Sequence, residues 1–134
     1  MVASPDYLKR RGMPATLNDL AAHDIVMFGA LGRWEFREGA VRVTPRLSVT
    51  TAEAAIDAAA AGAGITRVLS YQAVDALKMG ALVQVLGALE SEETPVHLLY
   101  PAGAHPPPKL RAFVNFAVPR LRRALDEIEA ALNG

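Results

Sequence analysis

Between residues 25 and 86, short β-rich runs alternate with helix-forming segments, and this alternation constrains the fold of the chain more than any other feature. The β-rich runs are 25–28, 47–49, 64–69 and 82–86, and the helical segments are 52–61 and 72–79. Strands that alternate with helices favour an α/β fold with a largely parallel or mixed sheet. Residues 33–37 and 41–43 alternate with period two around Glu38-Gly39, which predicts a local antiparallel hairpin.

The strongest local signal lies where the run 47–49 meets Thr50-Thr51-Ala52-Glu53. A threonine followed three residues later by a glutamate is the spacing of a capping box, with Thr50 as the N-cap. The helix should then continue to about Ala61 and end at Gly62, because glycine readily adopts the left-handed conformation that closes a helix.

The C-terminal part of the sequence has a different pattern. Residues 96–100 predict a strand that Pro101 stops, and apolar residues recur with a helical period from Lys109 onward. Pro119 lacks an amide donor, so we expect a kink or a break into two helices there.

Composition excludes several classes of function. Hydrophobic residues make up 51% and charged residues 21% of the chain, which is enough apolar surface for a folded core. The 14 basic residues balance the 14 acidic ones, so no overall positive field favours nucleic acid. With no cysteine, no membrane-length apolar run and no signal pattern, we expect a cytoplasmic protein that does not contact the membrane.

The sequence offers no catalytic or metal-binding constellation. His23, His97 and His105 lack the spacing that would place two imidazoles on one face of an element. The pair Gly62 and Gly64 lacks the third glycine and the downstream acid of a dinucleotide fingerprint. We therefore predict a protein that is not an enzyme and that uses neither a metal nor a cofactor.

Six phrases in order carry a resemblance to a known family. They are Val2-Ala3-Ser4-Pro5-Asp6-Tyr7-Leu8, Leu20-Ala21-Ala22-His23-Asp24, Trp34-Glu35-Phe36, Ala60-Ala61-Gly62-Ala63-Gly64-Ile65, Gly80-Ala81-Leu82-Val83-Gln84-Val85-Leu86 and Lys109-Leu110-Arg111-Ala112-Phe113-Val114. Together they resemble the C-terminal part of the effector-binding domain of LysR-type transcriptional regulators.

The resemblance implies a fold similar to type II periplasmic binding proteins, in which two α/β subdomains joined by two crossing strands hold a ligand in the cleft between them. Residues 1–95 would form the second subdomain, and residues 96–134 would be the returning strand and C-terminal helix of a truncated first one. The DNA-binding winged helix-turn-helix would lie outside these 134 residues. The implied function is to sense a small anionic effector; the alternatives are a fragment of a periplasmic solute-binding protein and a small α/β enzyme.

The resemblance places Thr50 and Thr51 in a strand-to-helix loop that faces the cleft, where free helix amides would suit a carboxylate. Thr50 could equally serve only as a helix cap. Thr66 is a further candidate effector residue, although a threonine in a strand is commonly part of the sheet packing. Trp34 is expected to pack within its subdomain rather than to contact the ligand.

Two segments are candidates for contacts in a homo-oligomer. The helix 52–61 is rich in alanine and is similar to a helix that pairs across the family's dimer, although it could also simply pack on its own sheet. The C-terminal helix would leave Phe113 and neighbouring apolar residues exposed. We therefore expect this tail either to associate with a second copy or to pack against the second subdomain.

Overall fold

The computed structural model describes residues 1–29, 32–90, 95–100 and 107–133. The chain divides into two compact units, Met1–Glu92 and Glu93–Gly134. The assignment of these two units to the two subdomains of the implied fold stays a prediction.

A mixed sheet of five strands forms the centre of the first unit, in the order β5-β2-β6-β1-β7. These strands are β1 (Val2–Ala3), β2 (Ile25–Phe28), β5 (Pro45–Val49), β6 (Ile65–Thr66) and β7 (Val83–Gln84). Strand β2 lies between β5 and β6 and is parallel to both, whereas β1 is antiparallel to β6 and β7. The predicted α/β fold with a mixed sheet is thus confirmed.

Helix α1 (Pro5–Arg11) is an element that we did not predict, although the sequence carries its start signals. Ser4 is the N-cap, its hydroxyl accepts a hydrogen bond from the Tyr7 amide at 3.2 Å, and proline occupies the first helical position. Both features favour helix initiation. A 3₁₀ helix over Leu17–Ala22 follows, and its start is fixed by the Asp19 carboxylate, which accepts hydrogen bonds from the amides of Ala15 and Thr16.

Strands β3 (Arg33–Phe36) and β4 (Gly39–Arg42) form the predicted antiparallel hairpin. Phe36 pairs with Gly39, so the turn consists of Arg37 and Glu38 and lies one residue earlier than predicted. Trp34 is buried, as expected for a packing residue.

The core of the first unit lies on both faces of the sheet. On one face, Ile25, Met27 and Ile65 pack with Leu20, Trp34 and other residues of α1, the 3₁₀ helix and the hairpin. On the other, Val2 packs with Ala59, Ala73 and Leu82, which belong to or flank helices α2 (Ala52–Ala60) and α3 (Ser70–Lys78). One layer, of helices and the hairpin, and a second layer, of α2 and α3, thus cover the two faces of the central sheet, an arrangement typical of α/β folds.

Several predicted boundaries need correction. The predicted strands 64–69 and 82–86 are reduced to two residues each, β6 and β7, because only these residues pair with a neighbouring strand. Helix α2 ends near Gly62, which adopts a positive φ of 81°, and α3 ends near Gly80 with a φ of 70°. Both glycines thus close helices as predicted.

The second unit has no strand among its described residues. Residues 95–100 are coil, so the predicted strand 96–100 is wrong. Helix α4 (Pro108–Asn133) continues through Pro119, so of the two expected outcomes the break into two helices is wrong, and the kink stays a prediction. Within the described ranges, no helix is both long and apolar enough to cross a membrane.

Candidate functional site

Strands β2, β5 and β6 run in the same direction, so their carboxyl ends meet at one side of the sheet. Phe28, the last residue of β2, pairs with Val49, the last residue of β5. Thr50 and Thr51 follow Val49 directly and lead into α2. We call this side of the sheet the carboxyl edge; in open α/β sheets it is the usual position for a ligand.

Thr51, not Thr50, is the N-cap of α2. Its hydroxyl accepts a hydrogen bond from the Ala54 amide at 3.2 Å, and its φ and ψ of −128° and 153° are those of an N-cap. Since β5 pairs as far as Val49, the chain uses Thr50 to turn, and the helix starts one residue later than predicted. The predicted capping box between Thr50 and Glu53 is therefore wrong, because the residue at the third helical position is Ala54.

The first turn of α2 presents backbone amides that have no partner within the helix. One of them, the Ala54 amide, is capped by Thr51. Thr50 and Thr51 are both exposed, and Glu53 is the acidic residue of this turn. The carboxyl edge thus brings two hydroxyl groups and the partial positive charge of a helix N-terminus together.

Thr66 lies apart from these two threonines. It is fully buried and pairs with Val2 of β1 and Val26 of β2, two residue positions before the end of β2 at Phe28. Its neighbour Ile65 packs in the cluster beneath the hairpin, so the Thr66 side chain is on the opposite face, covered by helices. Among the described residues its hydroxyl has no hydrogen-bond partner. A role for Thr66 in effector binding stays a prediction.

Arg67 is a charged residue near the carboxyl edge that sequence reasoning did not single out. It follows Thr66, and its guanidinium lies 4.9 Å from the centroid of the Phe36 ring. Partial burial lowers the pKa of this guanidinium, while the nearby Glu35 carboxylate acts in the opposite direction. The group keeps its positive charge at neutral pH, since arginine does not deprotonate in proteins. No local sequence signal distinguishes Arg67 from the other arginines of the chain.

The histidines have different surroundings. Nδ1 of His23 lies 3.0 Å from the Tyr7 hydroxyl oxygen, which also accepts a hydrogen bond from the Asp24 amide at 2.8 Å. His97 is exposed, and His105 lies outside the described residues. In the part of the chain that the structure describes, no three His, Cys, Asp or Glu residues are grouped closely enough to hold a metal ion.

Comparison with known proteins identifies relatives over most of the chain. The family model for the LysR substrate binding domain matches residues 1–122. The HTH-type transcriptional regulator PgrR of Escherichia coli is 32% identical over 114 residues, which are 78% of this chain and 38% of the relative. The probable HTH-type transcriptional regulator LtrA of Klebsiella pneumoniae is 32% identical over 124 residues, 85% of this chain and 40% of the relative. The chain thus spans about two fifths of the length of these curated relatives.

Solved structures show the same fold. The regulatory domain of AphB from Vibrio vulnificus superimposes with a TM-score of 0.75 and 24% identity, over 89% of this chain and 62% of that domain. CrgA, a LysR-type transcriptional regulator from Neisseria meningitidis, gives a TM-score of 0.63 at 24% identity, over 69% of this chain and 33% of that one. The matched proteins are regulators rather than enzymes, which confirms that expectation from the sequence.

Proposed function

Because the chain belongs to the LysR substrate binding domain family, we propose that it is the effector-sensing part of a cytoplasmic bacterial transcriptional regulator. The sequence resemblance to this family is confirmed. The proposed effector is a small anionic metabolite, and the proposed site is the carboxyl edge. DNA contact would be made by a winged helix-turn-helix outside these 134 residues.

The arrangement of Thr50 and Thr51 at the start of α2 is the observation that carries this proposal. A helix N-terminus at the carboxyl ends of parallel strands attracts anions, because its free amides and its dipole both favour negative charge. The first-turn amides of α2 and the exposed Thr50 hydroxyl would donate hydrogen bonds to a carboxylate. A contact between the effector and Thr66, which is fully buried, stays a prediction.

Thr50 is the better residue to test, because the Thr51 hydroxyl already stabilises α2. In a thermal-shift screen of small mono- and dicarboxylates on the protein, we expect at least one compound to raise the unfolding temperature. Thr50→Val should reduce that shift while leaving the ligand-free unfolding temperature nearly unchanged. Thr44→Val is the matched control, because Thr44 is also exposed but precedes β5 at its opposite end.

A full panel of carboxylates without any stabilisation would contradict the proposal. So would a shift that is the same in Thr50→Val as in the unmodified protein. A reduction of equal size in Thr44→Val would also count against it, because the effect would then not be specific to the carboxyl edge.

We also propose that the parent regulator assembles through α2 and α4. The buried residues of α2, Ala52, Ala55 and Ala59, pack on its own sheet, so only the opposite face, which includes Ala60, is available to a partner. In α4, Phe113, Phe116 and Leu121 are between 44% and 58% exposed. Exposed apolar groups of this size favour association.

Light scattering tests this assembly. If α2 contributes, Ala60→Arg should lower the mass of the assembly, whereas Ala40→Arg on the exposed hairpin should not. If α4 contributes, Phe113→Glu should have the same effect as Ala60→Arg. A monomer at all concentrations, or an assembly that survives both changes, would contradict the assignment of these helices.

A further inference from the structure

The amino ends of the three parallel strands border a surface cavity of about 600 Å³ that lies on the opposite side of the sheet from the carboxyl edge. Asp24 precedes β2, Arg46 is near the start of β5, and Ala63 precedes β6; all three line this cavity. We call this side of the sheet the amino edge. Protein cavities that bind small molecules commonly have volumes of this order.

Three arginines line the cavity, and two come from the last turn of α1. Arg10 Nη2 donates a hydrogen bond to the Gly62 carbonyl oxygen at 3.1 Å, and Arg11 Nη2 donates one to the Ala22 carbonyl oxygen at 2.7 Å. These bonds hold both guanidinium groups at the cavity wall. A guanidinium carries five N–H donors, so each retains further donors for a ligand.

The third arginine, Arg46, forms an ion pair with Asp24. Nη1 of Arg46 lies 3.2 Å from Oδ2 of Asp24, and the Arg46 side chain is 71% exposed. Arg11 Nε lies 3.9 Å from the same oxygen. An exposed ion pair of this kind contributes little to stability.

The charges in the cavity do not balance. Three guanidinium groups face one carboxylate, so the lining residues carry a formal charge of two positive units. Gly62 keeps the wall open: a Cβ atom there would lie 3.0 Å from Arg10 Nη2, and its φ of 81° disfavours any other residue. Leu47 and Ala63 add apolar surface beside the charged groups.

We propose that this cavity binds the oxyanion group, a phosphate or a carboxylate, of a second small molecule. Arginine is well suited to this role because its planar donors match the oxygen atoms of both groups. The oxyanion would contact Arg10 and Arg46, and the carbon skeleton would lie against Leu47 and Ala63. This site goes beyond the proposed function, because it shares no residue with the carboxyl edge and needs no effector there.

The test is an NMR titration of the intact chain with inorganic phosphate and, in parallel, with succinate, at low ionic strength. We expect the amide signals of Gly62 and Ala63 to shift with at least one of the two anions. A response to phosphate alone identifies a phosphorylated ligand, a response to succinate alone a carboxylate, and a response to both a general oxyanion site.

Three variants sharpen the test. Arg46→Ala should weaken binding about tenfold, which corresponds to one lost charge-assisted hydrogen bond. Asp24→Asn should strengthen binding severalfold, because it removes the competing carboxylate; a purely structural role of the arginines does not predict this gain. Arg42→Ala, an exposed arginine on the hairpin that does not line the cavity, should leave the affinity unchanged.

Trp34 is the single tryptophan and is buried in the first unit, so its fluorescence checks that each variant is folded. The proposal is overturned if neither anion shifts Gly62 or Ala63, or if Arg46→Ala and Arg42→Ala weaken binding equally. Failure of this site and failure of the carboxyl edge are distinguishable, because binding at the carboxyl edge would shift the amide signals of residues 51–54 rather than those of Gly62 and Ala63.

Discussion

The carboxyl and amino edges of the same sheet are built in different ways. At the carboxyl edge, the candidate ligand groups come from one short segment, Thr50 to Ala54, where a strand leads into a helix. At the amino edge, the arginines of α1 meet Asp24, Arg46 and Gly62 from three other segments. A site formed by residues that are adjacent in the sequence can be recognised from the sequence, whereas a site that tertiary packing assembles from distant segments cannot.

The largest loss of stability that we expect comes from a substitution at the amino edge, where the backbone of Gly64 packs against Asp24. A Cβ atom on Gly64 would lie 2.3 Å from the Asp24 carbonyl oxygen, which also accepts the Ile65 amide hydrogen bond. Gly64→Ala should therefore lower the free energy of unfolding by about 3 kcal/mol, through overpacking and backbone strain. Urea unfolding followed by Trp34 fluorescence measures this change.

Gly80→Ala is the control for that substitution. Gly80 has a φ of 70°, but nothing lies within 4 Å of an added Cβ atom, so only the left-handed conformation costs energy, about 1 kcal/mol. Equal destabilisation by the two changes would mean that the close approach of Gly64 to Asp24 does not hold the amino edge together.

The next largest effect on stability concerns Tyr7, a residue that is 1% exposed and whose hydroxyl oxygen accepts the Asp24 amide hydrogen bond. Tyr7→Phe leaves this amide without its partner and should cost about 2 kcal/mol. Tyr71→Phe, at a tyrosine that is 49% exposed, should change the free energy of unfolding by much less than that. If urea unfolding gives the same value for both variants, the Tyr7 contact does not order the amino edge.

At the carboxyl edge, the loss of stability that we expect from a single substitution is smaller. Thr51→Ala removes the N-cap hydrogen bond to Ala54 and should cost about 1 kcal/mol. Thr51→Ser should retain most of the stability, because serine offers the same hydroxyl acceptor. A Thr50→Ala variant that is destabilised more than Thr51→Ala in urea would show that the cap lies one residue earlier than the structure places it.

The smallest effect is a pH dependence of the amino edge through His23. Burial lowers the pKa of His23, the nearby Arg11 lowers it further, and Asp19 and Asp24 partly oppose both effects. The unfolded chain therefore takes up this proton first, and stability should fall as the pH drops below about 6.5, the usual histidine value. His23→Asn should reduce the difference between urea midpoints at about pH 7.5 and about pH 5.5. An unchanged difference would contradict this assignment.

Much of the first unit could be predicted from the sequence because its signals are local. The runs 25–28 and 47–49, the hairpin and the glycines that close α2 and α3 follow from period and turn chemistry. The errors lie where tertiary pairing decides the outcome. Strand β6 is limited to Ile65–Thr66 because β1 covers so little of it, and the α2 cap moves to Thr51 because β5 pairs as far as Val49.

In the second unit, too, the sequence alone could not predict the structure. Residues 96–100 have the composition of a strand, yet Leu99 is 90% exposed and the segment is coil. A strand requires a neighbour to pair with, and composition alone cannot supply one. Likewise, Pro119 breaks the sequence pattern but not the helix, because α4 continues through it.

The role of the carboxyl edge is the central claim, and mapping the binding site of a stabilising carboxylate by NMR tests it most directly. The account predicts that the amides of Thr51, Ala52 and Glu53 shift most, and that Thr50→Val weakens the response while Arg46→Ala does not. Shifts confined to Gly62 and Ala63 at the amino edge, or equal responses in Thr50→Val and the unmodified protein, would contradict it.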